Sequence, residues 1–187
     1  MDKLVGVWWA GGDDDARGGE DKSKGYKALN FHQAGADFPV IQDIKKHVVD
    51  KGLSKVEAAK FADNLYNRGV YNAMLMAEAV RNAQRITGKK AVTGEDVRKG
   101  LEALNITDAR LKEMGMEGFA APVKISCNDH NGHHKVFVHQ WDGAKWTKAS
   151  DWMDPMKEEV RPLIEAAAKE YAEKNTGWPK RAEACAQ

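Results

Sequence analysis

One long helical pattern dominates the sequence, and it lies at residues 65–84, LYNRGVYNAMLMAEAVRNAQ. Its apolar side chains recur at spacings of three and four residues, which places them on one face of a helix. The members of this face are Val70, Ala73, Met74, Ala77, Val80 and Ala83. Ser54 and Glu57 have the spacing of a capping box, so we expect helix formation to begin there and to extend to about Ile86. Gly69 interrupts the pattern and marks a place where the helix can break.

Strand patterns lie on both sides of this helical block. The first is a compact apolar run rich in valine and tryptophan, and the next two alternate apolar with polar residues. The last two flank Asp142-Gly143, which is a strong signal for a short hairpin turn. In chain order the predicted strands are residues 3–10, 26–31, 122–127, 135–141 and 145–152.

Further helices complete the pattern. Residues 37–52 are bounded by residues suited to helix caps, and Thr93 with Asp96 can begin another helix. A short helix is predicted at residues 107–114, and a last one follows Pro155. Apolar residues at helical spacing mark this last helix, namely Val160, Leu163, Ile164, Ala167 and Tyr171. The order of elements predicts a mixed fold of the α/β or α+β class.

The composition excludes several classes of protein. The 187 residues include 29 Lys and Arg against 28 Asp and Glu, and a net charge of +1 argues against nucleic-acid binding. Charged residues make up 30% and hydrophobic residues 42%, which indicates a globular chain rather than a disordered one. The sequence has no run of 18 apolar residues, and its first five residues lack the apolar segment of a secretory signal.

Cysteine and histidine residues offer one candidate metal site. Cys127 and Cys185 are too far apart for a CxxC motif, and they are either two free thiols or one disulfide bond. The candidate ligands are Cys127, Asp129, His130, His133, His134 and His139. Imidazole, thiolate and carboxylate groups all bind zinc. Most of these residues fall in a predicted turn at residues 128–134, which fixes no helical face and therefore favours a solvated turn.

Other kinds of chemistry find little support. Residues 13–21 carry acidic side chains suited to calcium, but no glycine stands where the EF-hand pattern requires one. The sequence lacks G-x-S-x-G, G-x-G-x-x-G and the P-loop, so it makes no positive case for an enzyme, a small hydrolase included. We therefore expect a protein that is not an enzyme and that uses no metal or cofactor.

Aromatic and polar residues gather at the predicted ends of strands and at a helix start. They are Trp8 and Trp9, Phe31 and His32, and Tyr66, Asn67 and Arg68. In open α/β sheets ligands bind beyond the carboxyl ends of strands, and aromatic walls with a few polar anchors suit a small-ligand cleft. Core packing explains any one of these aromatic residues equally well.

Taken in order, these features resemble the C-terminal half of a periplasmic substrate-binding protein of an ABC transporter, of the branched-chain amino acid type. The matching stretches extend over nearly the whole chain, and their order and spacing carry the resemblance. They are KLVGVWWAG (3–11), KGYKALNF (24–31), DFPVIQDIKKHV (37–48), LYNRGVYNAMLMAEAVRNAQ (65–84), TGEDVRKGLEALN (93–105), GFAAPVKISCNDH (118–130), VFVHQWDGAKW (136–146) and DWMDP (151–155).

The resemblance implies an α/β fold of the type I periplasmic binding protein kind, in which three crossing segments join two lobes around a ligand. On that pattern residues 1–32 form the end of the second lobe and residues 33–134 the returning part of the first lobe. Residues 135–187 cross back to the second lobe and add the C-terminal helix and tail. The family's N-terminal half has no counterpart here, so we expect a fragment or a self-associating chain that binds ligand weakly or not at all alone.

The resemblance also implies a function. It is that of the solute-binding component of an ABC importer, which binds amino acids or related small carboxylates in the periplasm and presents them to a membrane permease. A periplasmic location favours a disulfide between Cys127 and Cys185. Two alternatives are a ligand-sensing module of the same fold and a metal-binding protein that uses the turn at His133 and His134.

Ligand contacts carry over from the family at a few positions. The segment after the first strand matches one contact region, which makes Trp8, Trp9 and Gly11 candidates, and Tyr66 matches another. Many members hold the ligand's ammonium group with an acidic residue in the first of these regions. Tryptophans occupy that place here, which favours a larger, flatter or aromatic ligand, and Asp13 is the candidate substitute for the acid.

Overall fold

The computed structural model describes residues 4–178 and Cys185, and within this part the strands form two sheets. In chain order they are β1 (Val5–Val7), β2 (Lys27–Asn30), β3 (Asn105–Ile106), β4 (Val123–Ser126), β5 (Asp129–His134), β6 (Phe137–Trp141) and β7 (Trp146–Lys148). The larger sheet has the order β1-β2-β6-β7, in which only β1 and β2 run parallel. The smaller sheet has the antiparallel order β3-β4-β5. Strands from distant parts of the sequence therefore meet in the larger sheet.

The helices lie between and after these strands. They are α1 (Asp13–Arg17), α2 (Pro39–Ile44), α3 (Asn64–Thr87), α4 (Gly94–Glu102), α5 (Asp108–Glu113) and α6 (Lys157–Lys174). The capping box that begins α4 is confirmed, because Asp96 N–H donates to Thr93 Oγ1 and Thr93 N–H donates to the Asp96 carboxylate. None of the described helices is long and apolar enough to cross a membrane.

The long helix α3 differs from the prediction at its start and in its middle. Ser54 and Glu57 do not cap it; Asp63 does, because its side chain accepts the backbone N–H of Tyr66 at 2.8 Å. The Ser54 hydroxyl accepts Val56 N–H in a local turn instead. The predicted break at Gly69 is also wrong. The helix is continuous through that residue, since the packing of its apolar face outweighs the modest helix penalty of one glycine.

The main hydrophobic core lies where α3 and α4 pack beside the smaller sheet. Its fully buried members include Ile41, Ala79, Leu104, Ile106, Leu111 and Phe119. Gly100 permits the close approach of the two helices, because a Cβ atom there would lie 2.1 Å from the carbonyl oxygen of Ala79. The contact between α3 and α4 is therefore set by a residue without a side chain.

Four of the predicted strands are confirmed as β2, β4, β6 and β7, and two local predictions are wrong. Only Val5–Val7 of the first predicted strand is extended, and Trp8–Gly11 turns into a 3₁₀ helix in which Trp8 has a φ of 52°. Lys3, where that strand was predicted to begin, lies outside the described residues. The predicted turn at residues 128–134 is strand β5, which pairs with β4. Its polar sequence shows no alternation because the strand lies at the edge of a small sheet.

The C-terminal helix α6 lies on the surface with none of its residues buried. Its apolar stripe exists as predicted, but its members stay exposed in the described part of the chain: Leu163 is 70% exposed, and Tyr171 contacts Trp178 yet is 57% exposed. Polar contacts and a covalent bond connect this end of the chain to the small sheet. Asp129 of β5 pairs with Lys157 and with Arg161, and a disulfide bond joins Cys127 to Cys185.

Candidate ligand-binding site

A buried polar junction connects the larger sheet to the start of α3. The Asn64 side-chain amide donates to the Gly11 carbonyl and accepts a hydrogen bond from Asn30 at 2.6 Å. The backbone N–H of Asn64 donates to the Asp13 carboxylate at 2.6 Å. Asn30, Asn64 and Asp13 are all buried, so their hydrogen bonds are shielded from water and fix α3 against the end of β2.

The carboxylate of Asp13 is engaged within this junction. Its other carboxylate oxygen lies 4.0 Å from the Arg17 guanidinium. Burial raises the pKa of Asp13, and the hydrogen bond from Asn64 N–H opposes that rise. Groups of the protein therefore already hold the Asp13 carboxyl. Asp13 was the candidate acid for the ammonium group of a ligand, as the family resemblance implies.

Arg68 lies one helical turn beyond Asn64 and is only 2% exposed. Its Cζ atom lies 4.0 Å from the centre of the Trp8 ring and 4.9 Å from that of Trp9, a cation–π arrangement. Its Nη2 group donates to the Trp8 carbonyl at 2.9 Å, whereas Nε and Nη1 have no acceptor among the described residues. Burial lowers the pKa of Arg68, and the Asp13 charge opposes this. An arginine stays cationic in such a setting, so the site contains a buried positive charge.

Aromatic rings extend the site away from Arg68. The Trp8 ring lies 4.8 Å from Phe31 and 5.9 Å from His32, and His32 is stacked on Phe119. Burial lowers the pKa of His32 to about 3, and the pKa of His139 is lowered to about 3 by the same cause. Both imidazoles are therefore neutral at neutral pH and add no charge to that of Arg68.

The structure brings two of the four predicted contact residues, Trp8 and Trp9, together. Trp8 and Trp9 lie against Arg68, and the carbonyl of Gly11 joins the polar junction. Glycine is needed at position 11, because a Cβ atom there would lie 2.8 Å from His139 Nε2. Tyr66 instead packs its ring against Phe61. Its role as a ligand contact stays a prediction, as do the roles of the other three.

Sequence reasoning placed Arg68 in the aromatic and polar set but did not select it as a contact. It missed Asn30, Asn64 and the location of His139 beside Gly11. A usable signal was present, because Asn64 and Arg68 are polar residues four apart at the start of a long helix and share one face. The hydrogen bond between Arg68 and Trp8, sixty residues apart, carries no such local signal.

The candidate metal ligands are dispersed in the structure. Cys127 is in the disulfide, Asp129 pairs with cationic side chains, and His130 lies 3.0 Å from Glu102. The His134 ring packs against Phe31. Among the described residues no three such groups come close enough to hold a metal ion, and the side chain of His133 lies outside the described part. Two acids of the stretch at residues 13–21 are also engaged elsewhere, because Asp13 lies in the junction and Asp14 pairs with Lys60.

A separate cavity of about 420 Å³ lies between the β4–β5 hairpin and the start of α6. Its walls include His130, Arg161 and Ile164, and it contains none of the predicted contact residues. The charged groups there are already paired, since Arg161 binds Asp129. The Trp8, Trp9 and Arg68 cluster, which holds unpaired donors, is therefore the better candidate for a ligand site.

A buried polar junction between the larger sheet and α3, with an aromatic cluster beside it, is the kind of arrangement that α/β proteins of the small-ligand-binding class use. The sequence pattern of the periplasmic binding protein family matches residues 1–146. The chain belongs to that family, which is not an enzyme family, and the predictions of an α/β type I fold and of no enzyme are confirmed.

Solved structures resemble the chain over most of its length. One is described as an ABC transporter permease from the Pseudomonas fluorescens group; it is 39% identical, with a TM-score of 0.88, over 97% of this chain and 44% of its own. A branched-chain amino acid ABC transporter from Thermus thermophilus, solved with bound valine, is 18% identical with a TM-score of 0.62, over 84% of this chain and 41% of its own.

A third structure, an ABC transporter substrate-binding protein from Aeropyrum pernix, is 16% identical with a TM-score of 0.52. It covers 82% of this chain and 38% of its own length. The last two likenesses show the fold alone. A comparison with curated protein sequences finds no match. The chain thus spans less than half the length of each of these three structures.

Proposed function

We propose that the chain is part of the solute-binding component of an ABC importer and holds a small carboxylate, an amino acid or a related compound. The ligand would lie between two lobes, with residues 1–32 and 135–187 in one and residues 33–134 in the other. The partner would be a membrane permease, and the location the periplasm. Membership of the periplasmic binding protein family supports this proposal, as does the valine bound in the Thermus thermophilus structure.

The observation that carries the proposal is the state of Arg68. A buried guanidinium whose Nε and Nη1 find no acceptor in the described part of the chain is costly to maintain, by about 1–3 kcal/mol or more. An anionic ligand would remove that cost by accepting those hydrogens. Trp8 and Trp9 lie against this guanidinium, and the Gly11 carbonyl accepts from Asn64, one helical turn before Arg68; we propose these residues and Tyr66 as its ligand contacts.

The mechanism follows from the neighbour of Arg68. We propose that the segment at residues 31–35 crosses between the lobes. The Asn67 amide donates to two carbonyls of this segment, those of Gln33 at 3.0 Å and Gly35 at 2.9 Å. A ligand that binds Arg68 therefore contacts the same turn of α3 whose Asn67 holds the crossing segment by hydrogen bonds. We propose that binding shifts the population of the two-lobed protein from an open to a closed arrangement, which the permease then recognises.

A binding measurement on this chain tests the proposal. Ligand-observed NMR with L-valine, 4-methylpentanoate and 3-phenylpropionate should detect weak binding, with a Kd on the order of 1 mM, because only part of the cleft is present. The substitution Arg68→Met should abolish it. The matched control is Arg81→Met, which removes an exposed arginine from the same helix and should leave binding unchanged. Equal binding by Arg68→Met and the wild type would contradict the proposal.

We also propose that the chain associates with a second copy of itself. Two features support this: β1 is an edge strand with Val5 and Val7 exposed, and α6 presents an uncovered apolar stripe that includes Leu163. Light scattering should show a concentration-dependent dimer that Leu163→Lys weakens. A monomer at every concentration would contradict it.

A further inference from the structure

We infer that the ligand of the Arg68 site is a planar aromatic carboxylate that carries no α-ammonium group. The inference rests on the proposed function and specifies the chemical class of its ligand. It is drawn from the hydrogens that Arg68 leaves unpaired within the described residues, from the rings beside it, and from the hydrogen bonds that already engage the nearby acids Asp13 and Asp63.

The carboxylate end follows from the geometry of the guanidinium. Nη2 of Arg68 carries two hydrogens, and the Trp8 carbonyl accepts one of them. Because Nε and Nη1 make no hydrogen bond within the described part of the chain, one edge of the guanidinium retains a pair of free N–H groups whichever Nη2 hydrogen is used. A parallel pair of N–H donors matches the two oxygens of a carboxylate.

The aromatic end follows from the two tryptophans. Trp9 is 69% exposed, although its ring lies against the Arg68 guanidinium and 6.2 Å from the Trp8 ring. Trp9 therefore lies between solvent and the buried Arg68 guanidinium. A ligand that reaches the guanidinium must displace the Trp9 ring or pack against it. Trp8 in turn contacts Phe31, so a planar ring that enters beside Arg68 meets aromatic surface rather than aliphatic side chains.

The exclusion of an ammonium group follows from charge. Arg68 repels a cation, and Asp13, the buried acid of this region, already accepts Asn64 N–H at 2.6 Å and faces Arg17. The amide oxygen of Asn67 is buried without a hydrogen-bond partner in the described residues, but it bears no charge. An α-ammonium group would thus lose its hydration without gaining a carboxylate partner, which is strongly unfavourable.

Two matched pairs of compounds test the inference on the full chain. 3-Phenylpropionate differs from L-phenylalanine only by the ammonium group, and 4-methylpentanoate differs from L-leucine in the same way. Ligand-observed NMR titrations at neutral pH should show 3-phenylpropionate binding at least about tenfold more tightly than L-phenylalanine. It should also bind more tightly than 4-methylpentanoate. Trp9→Leu should remove this preference for the aromatic compound, because it removes an aromatic ring beside Arg68. The variant should still fold, since Trp9 is exposed and does not belong to the core.

Each outcome has a distinct meaning. Equal or tighter binding of the amino acid in both pairs overturns the inference and leaves the proposed function standing. Equal binding of the two carboxylates overturns the aromatic part of the inference. No binding of any of the four compounds at about 10 mM, with the thermal unfolding of the chain intact, overturns the proposed function itself.

Discussion

The helices α3 and α6 have similar sequence patterns but lie in opposite environments, α3 in the core and α6 on the surface. Both carry apolar residues at spacings of three and four, and both extend for several turns. Eight residues of α3 are buried, including Tyr71 and Met74, whereas α6 has none. In α3 the predicted apolar face is only partly right, because Met74 and Ala83 are buried while Ala73 and Ala77 are exposed. An apolar period therefore indicates that a helix has a face for a partner, but it does not identify the partner.

The difference arises from what lies nearby in the chain. The partner of α3 is α4, which begins a few residues after α3 ends and packs against it at Gly100. Helix α6 follows the last strand, and its contacts to the rest of the chain include the pairs that Asp129 forms with Lys157 and Arg161. One helix is fixed by packing and the other by charged pairs near its first turn.

The largest expected effect is the loss of the α3–α4 contact. Gly100→Val introduces a Cβ atom 2.1 Å from the Ala79 carbonyl oxygen, and the backbone of α3 must move away. We expect the free energy of unfolding to fall by about 3 kcal/mol or more in urea denaturation. The control is Gly94→Ala at the start of α4, where a Cβ meets nothing within 4 Å, so stability should change by about 0.5 kcal/mol or less. Similar stability of the two variants would show that α4 does not pack as described.

A paired truncation compares the two helices directly. Met74→Ala removes a buried side chain of the core and should lower the free energy of unfolding by about 2–5 kcal/mol. Leu163→Ala removes a side chain from the uncovered face of α6 and should change it by about 0.5 kcal/mol or less at low protein concentration. If the Leu163 variant is as unstable as the Met74 variant, then α6 is covered in solution, and repeating the measurement at several protein concentrations identifies a second copy as the cover.

A smaller effect, confined to acid, involves the histidine packed against α3. Burial lowers the pKa of His32 to about 3, while an unfolded histidine titrates near 6.5. Between these values the unfolded chain binds the extra proton, so the stability contributed by neutral His32 is complete above about pH 6.5 and declines as the pH falls toward 3.

The substitution His32→Phe should flatten this decline. Its ring can keep the contacts with Phe119 and Tyr71, and the remaining acid sensitivity belongs in part to His139. Urea denaturation from pH 8 to pH 4 gives the free energy of unfolding of both proteins. The value for the wild type minus the value for the variant should be constant at high pH and should fall in acid. Parallel curves over the whole range would show that His32 is accessible to protons in the folded state.

The elements that could be predicted from the sequence are those that local residues determine. The Thr93–Asp96 capping box, the Asp142-Gly143 hairpin turn and β2 each follow from a few neighbouring residues. The 3₁₀ helix at Trp8–Gly11 could not be predicted, because it depends on Arg68 binding the Trp8 carbonyl from another element. The candidate site shows the same division: Trp8 and Trp9 are contact candidates from the family resemblance and from their place at the end of a predicted strand, while Asn30 and Asn64 meet only in the folded chain.

The disulfide bond joins Cys127 to Cys185, 58 positions further along the chain, and closes a covalent ring that passes through both sheets and along α6. A protease that cuts the exposed helix once inside this ring opens it without releasing a piece. The nicked molecule then migrates as an intact chain on a denaturing gel until a reductant is added, when two fragments appear. Damage to the least protected helix is thus hidden in an oxidising environment, and its detection requires a thiol.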